Sequence, residues 1–321
     1  MIPKVSVIVP IYGVEQYIER CAISLFEQTL EEIEFIFVND CTQDRSITIL
    51  ANTLSKYPNR KDSVRIINHE VNKGLAAARK TGVDAASGEY IAHCDSDDWL
   101  QKDIYQIMYD EATRFDSDIV ICDYYLTDGK FFRKHTGCLS TDKATLLTDM
   151  VNGDASWAVW NKLVKKGIYR ENNILYPDYA MGEDMVLMIQ LIWYSNSISY
   201  VPLPLYNYYI NQNSITLRKT LDSVYAKYSQ LMSNISKLSI FFTSTGDSKL
   251  IEFVDKLNCY AGTLLLPYLN KKMIWNEWVK HYSQFRVFDI INVGRITFKQ
   301  KIATILIAFL RTPISLIYKV I

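Results

Sequence analysis

Over the first 125 residues short β-branched runs alternate with longer stretches of helical periodicity, and the runs end in polar clusters. The runs at residues 4–10, 34–38, 64–68, 89–94 and 118–122 predict strands. The stretches near residues 16–28, 44–57, 74–87 and 103–114 are long enough to be crossover helices. That alternation specifies an α/β fold built on a doubly wound, mostly parallel sheet. A chain of 321 residues accommodates one such unit with an appendage. We expect the sheet domain to span residues 1–218 and a helical C-terminal region to span 219–321, where no strand pattern and no internal repeat is found.

Between these parts the signals thin out. Asp128-Gly129 suggests a hairpin and Ser140-Thr141-Asp142 a helix start. From Glu183 onward Met185, Val186, Met188, Ile189, Ile192 and Trp193 have helical spacing, and Pro202 and Pro204 then open an extended, tyrosine-rich segment. Hydrophobic residues at 49% and charged residues at 22% exclude a disordered chain. Lys+Arg and Asp+Glu are equal at 35 each, which gives no reason to expect nucleic-acid binding. The six cysteines form no CxxC pair, so zinc and structural disulfides are not expected and a reducing cytoplasm is. No apolar run reaches the ~18–20 residues of a membrane span.

The chemistry lies where the predicted strands end. Pro10-Ile11-Tyr12 follows the first strand, Asn39-Asp40-Cys41-Thr42-Gln43-Asp44 the second, Asn72-Lys73-Gly74 the third, and Asp95-Ser96-Asp97-Asp98 the fourth. Ligands of open α/β sheets bind outside the carboxyl ends of the strands, so four polar clusters there predict a site. The three carboxylates of Asp95-Ser96-Asp97-Asp98 repel one another unless a cation or a helix N-terminus offsets them. Mg²⁺ or Mn²⁺ suits such oxygen ligands and completes its shell with water and phosphates. The competing reading makes Asp97 or Asp98 the cap of a helix starting near Trp99. Neither GxGxxG after the first strand nor GxxxxGK[ST] is present, so a diphosphate would be handled by metal.

Asp44 reads as a helix cap and Asp40 as the better base-recognition candidate. Arg79, in the alanine-rich helix after Gly74, is either a site residue or half of a surface ion pair. Glu183-Asp184 opens the later apolar helix as a cap or a general base. Trp157, Trp160, Asn161 and Lys162 either hold a polar ligand against rings or form an aromatic cluster, and Tyr200, Tyr206, Tyr208 and Tyr209 allow the same two readings. The four histidines lack metal-ligand spacing and are assigned no role.

With Val9-Pro10-Ile11-Tyr12, Val38-Asn39-Asp40, Asn72-Lys73-Gly74 through Ala78-Arg79, Asp95-Ser96-Asp97-Asp98 and Gly182-Glu183-Asp184 in this order, the chain resembles the family 2 glycosyltransferases of the GT-A fold over about residues 1–216. The resemblance implies inverting, non-processive transfer of a sugar from a nucleotide diphosphate, UDP foremost, to a hydroxyl of a glycan or lipid-linked acceptor in cell-surface polysaccharide synthesis. It implies that Pro10, Tyr12, Asp40 and Arg79 surround the nucleotide base, with Lys73 and Ser96 in the nucleotide-binding set. Asp95 would meet the ribose and Asp97 the Mn²⁺ or Mg²⁺ that bridges the phosphates. Asp184 would take the acceptor proton and Glu183 position acceptor or sugar. Where the family has Gly-Ser after the aspartates this chain has Cys41-Thr42. Gln190 is followed by Leu191-Ile192-Trp193 instead of completing the QxxRW of processive relatives, which favours single-sugar transfer. Tyr206-Asn207-Tyr208 with Ser214 is similar to the segment that ends the catalytic domain in relatives.

Residues 271–321 carry nine Lys/Arg against two Asp/Glu. Phe298, Ile302, Ile305, Leu306, Phe309 and Leu310 recur there at helical spacing, with Trp275, Trp278, Phe285 and Phe288 upstream. Two readings stand: peripheral contact with an anionic membrane on its cytoplasmic face, or self-association through an amphipathic helix. Two other functions also stay open. A non-catalytic partner protein would keep the fold without turnover. A sugar-phosphate nucleotidyltransferase would need a glycine-rich or basic loop early in the chain, where residues 10–20 offer only Gly13 and Arg20.

Overall fold

A computed structural model describes residues 2–211, 220–246, 248–269, 271–282 and 302. Four parallel strands form the heart of its sheet: β1 (Val5–Ile11), β2 (Ile33–Asn39), β3 (Val64–Asn68) and β4 (Tyr90–His93), in the order β3-β2-β1-β4. Helices α1 (Ile18–Phe26), α2 (Ser46–Leu54) and α3 (Leu75–Ala85) lie between them in the chain, and α4 (Ile104–Phe115) follows a two-residue β5 (Trp99–Leu100). Every residue of β1 is buried, as in a central strand covered on both faces, which is why the run reads as continuously apolar rather than alternating.

The remaining elements are β6 (Ile119–Thr127), β7 (Phe132–His135), α5 (Lys143–Asn152), β8 (Lys162–Lys165), α6 (Lys166–Glu171), α7 (Glu183–Tyr194) and β9 (Ile198–Tyr209). The sheet continues β4-β8-β6-β9-β5, with β7 on β6. Here antiparallel strands join the parallel heart of the sheet. β8 is antiparallel to both β4 and β6, and β7 and β5 also pair antiparallel. β8 has only four residues, too few for alternation to announce it, and it enters between strands that sequence order would make neighbours. The parallel ladder of β6 and β9 shifts register around Asp123, opposite Pro202 and Pro204, whose missing N–H groups cannot complete it.

Contacts divide the chain into two compact units, Met1–Leu147 with Ser156–Ser214, and Thr148–Ala155 with Ile215–Ile321. The boundary expected at residue 218 lies outside the described residues. The second unit holds α8 (Leu221–Thr245), α9 (Ser248–Thr263) and α10 (Lys272–Tyr282). Thr220 caps α8 by accepting from the Ser223 N–H at 3.3 Å, and left-handed Gly246 ends it. Leu231, Ile235, Leu238 and Phe242 line one face of α8 and are buried, as are Phe253, Leu257 and Ala261 of α9. Trp278 is buried too, so it does not belong to an exposed aromatic surface. Phe285, Phe288, Phe298 and the other residues of the expected terminal helix, Ile302 aside, lie outside the described residues. Among the described residues no helix is long and apolar enough to cross a membrane.

One contact fixes how closely α3 approaches the sheet. A Cβ placed on Gly82 would stand 2.3 Å from Cγ2 of Ile8 in β1, so only hydrogen fits. Gly82→Ala is therefore expected to destabilise the protein by about 1–3 kcal/mol through overpacking, since the branched Ile8 has little rotamer freedom to yield. Equilibrium urea unfolding of the variant checks this, and an unchanged midpoint would contradict the packing described.

Candidate active site

The carboxyl ends of β1, β2 and β4 lie along one edge, and the polar clusters gather there. Pro10 is buried within β1 opposite Val38, whereas Tyr12 is exposed just beyond the strand. Asp40 follows β2 and is 3% exposed. One of its oxygens takes His69 Nδ1–H at 2.7 Å and the Lys73 N–H at 2.8 Å, and the other takes the Gly74 N–H at 2.8 Å. Nδ1 must be the donor because a carboxylate only accepts. Asp40 therefore fixes the loop that opens α3, leaving the side chain of Lys73 exposed at the edge.

The turn after Asp40 keeps its shape without glycine. Cys41 adopts a left-handed φ of 59°, a conformation costing roughly 1–2 kcal/mol for a residue with a Cβ. Thr42 offsets part of that strain, its hydroxyl accepting from the Gly13 N–H at 2.9 Å and donating to Asp44 at 2.8 Å. Asp44 in turn accepts the N–H of Ser46, the first residue of α2, at 3.1 Å, and so braces the turn before the helix, but the cap position itself is held by Arg45, whose side chain makes no capping bond.

Arg79, on α3, gathers three acids from two segments, the loop after β4 and the start of α7. Its Nη2 donates to Asp95 at 2.7 Å, and its Nη1 donates to Asp184 at 2.5 Å and to Glu183. The guanidinium is 1% exposed and faces carboxylates. Neither Arg79 nor Asp40 thus presents an open polar edge to a nucleotide base.

Three carboxylates around one guanidinium leave an excess of negative charge. Burial, joined by the charges of Asp184 and Asp97 and opposed by Arg79, pushes the Asp95 carboxyl up to about 6. Burial likewise holds the Glu183 carboxyl well above its ordinary range although Arg79 pulls it down. Glu183 is sealed at 1% exposure, with Oε1 lacking a hydrogen-bond partner, whereas Asp184 remains 29% exposed. Both lie in the first turn of α7 after left-handed Gly182, where the helix dipole favours anions.

The loop after β4 divides its acids by function. Asp98 is fully buried and accepts from the Tyr206 hydroxyl and the Tyr209 N–H, each at 2.7 Å. It is a strut between the loop and β9. No helix starts at Trp99, since α4 begins at Ile104, so the capping alternative for Asp97 and Asp98 falls away. Asp97 is half-buried, with Oδ2 accepting from Asn211 Nδ2 at 3.2 Å. Arg20 holds the Asp97 carbonyl at 2.8 Å while its guanidinium sits over Trp99, 3.7 Å from the ring centroid, and Tyr209, at 4.7 Å. Ser96 is buried within the same loop.

Beneath the loop Trp160 stacks on Tyr206 at 4.3 Å and on Tyr208 at 5.4 Å. Trp160, Asn161 and Lys162 are buried, so this group is a floor rather than an open ligand platform. Lys162 Nζ donates to the carbonyls of Ser156 (3.0 Å) and Ala158 (2.6 Å) and to Asn161 Oδ1 (2.7 Å), while burial lowers its pKa to about 8. Half-buried Tyr208 is the exception. Burial first, and then the charges of Asp98, Asp95, Asp97 and Asp184, raise its hydroxyl.

Among the described residues no group of three or more His, Cys, Asp or Glu side chains is placed to hold a metal by itself. What is present fits a different kind of site. Asp97 offers a partly exposed carboxylate beside an excess of negative charge, and Mg²⁺ or Mn²⁺ is commonly held by one or two carboxylates plus substrate phosphates and water.

Residues 6–187 match the family described as Glycosyl transferase family 2. The chain belongs to the family 2 glycosyltransferases. The transferase is 34% identical over 304 residues to EpsH of Bacillus subtilis (strain 168), a protein named as a glycosyltransferase, covering 91% of this chain and 82% of that one. It is also 34% identical to the uncharacterized glycosyltransferase EpsJ of the same organism over 224 residues, 67% of this chain and 64% of EpsJ. Staphylococcus aureus TarS (residues 1–349, in complex with UDP-GlcNAc) superposes with a TM-score of 0.65 at 18% identity, over 89% of this chain and 81% of the TarS chain. The mannosyltransferase PcManGT of Pyrobaculum calidifontis, in complex with GDP-Man and Mn²⁺, gives 0.54 at 12% identity over 95% and 86%. These likenesses establish the GT-A fold of the transferase.

Sequence reasoning missed several residues that shape the site. Arg20 was noticed only as a sparse early cation, and Asp98 and Tyr206 form a strut 108 residues apart in the chain. His69, assigned no role, joins Asp40 to Thr81. No local pattern marks such partners; only their shared edge of the sheet could have suggested them.

Proposed function

We propose that the transferase moves one sugar, with inversion, from a nucleoside diphosphate sugar to a hydroxyl of a glycan or lipid-linked acceptor, and that UDP is the nucleotide. The observation carrying this reading is Asp184. It is the half-exposed member of the Glu183-Asp184 pair, held at a helix start by a buried arginine that also grips Asp95. A carboxylate fixed beside a donor loop can accept the proton of an attacking hydroxyl. Its buried neighbour Glu183 keeps Arg79 oriented and so positions the base.

Pro10, Tyr12, Lys73, Asp95 and Ser96 are the proposed nucleotide contacts, with Asp40 and Arg79 acting from behind by fixing the loop and the acids. Asp97 is the proposed protein ligand of Mn²⁺ or Mg²⁺, an ion that as a Lewis acid stabilises the charge of a departing diphosphate. Family membership and the donors named for TarS and PcManGT support the donor class. A role in cell-surface polysaccharide synthesis on the cytoplasmic side is part of the proposal.

The test is release of nucleoside diphosphate from UDP-glucose, UDP-galactose, UDP-N-acetylglucosamine and GDP-mannose with Mn²⁺, with and without EDTA. We expect one donor to turn over, EDTA to abolish release, and Asp97→Ala to reduce it by at least about 100-fold, the order of a lost electrostatic stabiliser. Release that persists in EDTA and in Asp97→Ala would remove the metal from the proposal. The absence of turnover with every donor would favour a non-catalytic partner protein.

A further inference from the structure

The tip of the β6–β7 hairpin has no part in the chemistry above, yet it stands on the same edge of the sheet. β6 and β4 are both antiparallel to β8, so β6 runs in the direction of β4 and its end at Thr127 lies on the edge that carries Asp95–Asp98. The ring of Phe132 meets Trp99, the residue after Asp98, edge-on at 6.3 Å, and Tyr125 at 5.7 Å. The turn itself is well fixed. Asp128 accepts the N–H groups of Lys130 at 2.9 Å and Phe131 at 2.8 Å, Thr127 accepts that of Gly129 at 2.9 Å, and Gly129 takes the required φ of +95°.

This rigid tip displays two adjacent phenylalanines, Phe131 at 62% and Phe132 at 46% exposure. Around them Lys130 and Arg133 are exposed and make no ion pair among the described residues, whereas Lys134 is paired with Asp123 at 2.9 Å. Cations are a common guard on an exposed edge strand against unwanted pairing. That role explains Arg133 and Lys134, but it is poorly served by an apolar side chain in the turn. A soluble polyanion would satisfy the cations and offer the two rings nothing to enter. An anionic bilayer satisfies both, with aromatic rings at the headgroup boundary and cations on the lipid phosphates.

We infer that the β6–β7 tip is a docking surface for an anionic lipid bilayer, with Phe131 and Phe132 entering the headgroup region and Lys130 and Arg133 facing the lipid charge. The docked tip sets the edge with Asp95–Asp98 toward the bilayer. The inference concerns binding and stands or falls separately from the donor proposed above.

The experiment is co-sedimentation of the full chain with phosphatidylcholine vesicles, with and without phosphatidylglycerol, at low and high salt. Binding is expected only with phosphatidylglycerol and is expected to weaken in high salt. Phe131→Ser/Phe132→Ser and Lys130→Glu/Arg133→Glu should each weaken it about tenfold, from the apolar and charge contributions respectively. The charge variant should keep its melting temperature, and the phenylalanine variant, which loses the Phe132 ring against Trp99 and Tyr125, should melt somewhat lower while staying folded at the assay temperature. A Phe131→Cys variant carrying an environment-sensitive dye should report an apolar setting when such vesicles are added. The inference is overturned if the chain ignores these vesicles or binds them equally well in both double variants. It is also overturned if the phenylalanine variant changes the oligomeric state in place of vesicle binding, or if dextran sulfate binds in a way that depends on the cations while the dye reports no apolar contact.

Discussion

Asp184→Asn is expected to lower kcat by about 10²–10⁴-fold, the range of a lost general base, while donor affinity stays within roughly twofold. The substitution keeps size, removes the ability to take a proton, and takes one negative charge from beside Arg79 and Asp95. Asp184 is well suited to show this separation because it is partly open to solvent while its geometry comes from Arg79 and the first turn of α7. Asparagine can still accept from Arg79 through its amide oxygen, so the site stays assembled. Initial rates and equilibrium titration of the donor on the same preparation would separate the two effects. A variant with near-native kcat would move the base elsewhere, and one that loses donor affinity in step with kcat would make Asp184 a binding residue.

Arg79→Met is expected to cost about 3–5 kcal/mol of stability, the penalty for removing one partner from a buried charge cluster. Asp95, Glu183 and Asp184 would lose their common donor, and Glu183 has almost no access to water. Arg79→Lys should recover little, because a single ammonium cannot reproduce the fork that reaches three carboxylates. The double variant Arg79→Met/Glu183→Leu should recover part of the loss, since it also removes the most deeply buried acid. Thermal melts of the three variants check the ordering. If Arg79→Met melts like the wild type, the acids are hydrated enough to need no common counter-ion, and the arginine does not organise the site.

The sequence made this edge of the molecule legible but not its interior connections. β1 and β2 are wholly or almost wholly buried, so their apolar runs are continuous, and the polar clusters stand out because each begins where a run stops. The acidic motif after β4 and the Glu183-Asp184 pair were visible for the same reason, as local concentrations of charge. β8 was not, because Lys162–Lys165 is too short for periodicity and its lysine is buried by three oxygen partners that only the folded loop supplies. Arg79 shows the other limit. Its presence near the site was legible, but its orientation depends on acids 104 and 105 residues away in sequence. Asp40 behaves similarly, since its partners arrive from the end of β3 and the start of α3.

The central claim is that the carboxyl edge of β1, β2 and β4 binds a nucleoside diphosphate through a metal held at Asp97. Thermal shift with UDP, GDP, CDP and ADP, each with Mn²⁺, Mg²⁺ or EDTA, tests it most directly, because a ligand that prefers the native state raises its melting temperature. The account predicts a shift with one diphosphate, UDP, that disappears with EDTA and in Asp97→Ala and persists in Asp184→Asn. No shift with any diphosphate, or the same shift in EDTA and in Asp97→Ala, would contradict it.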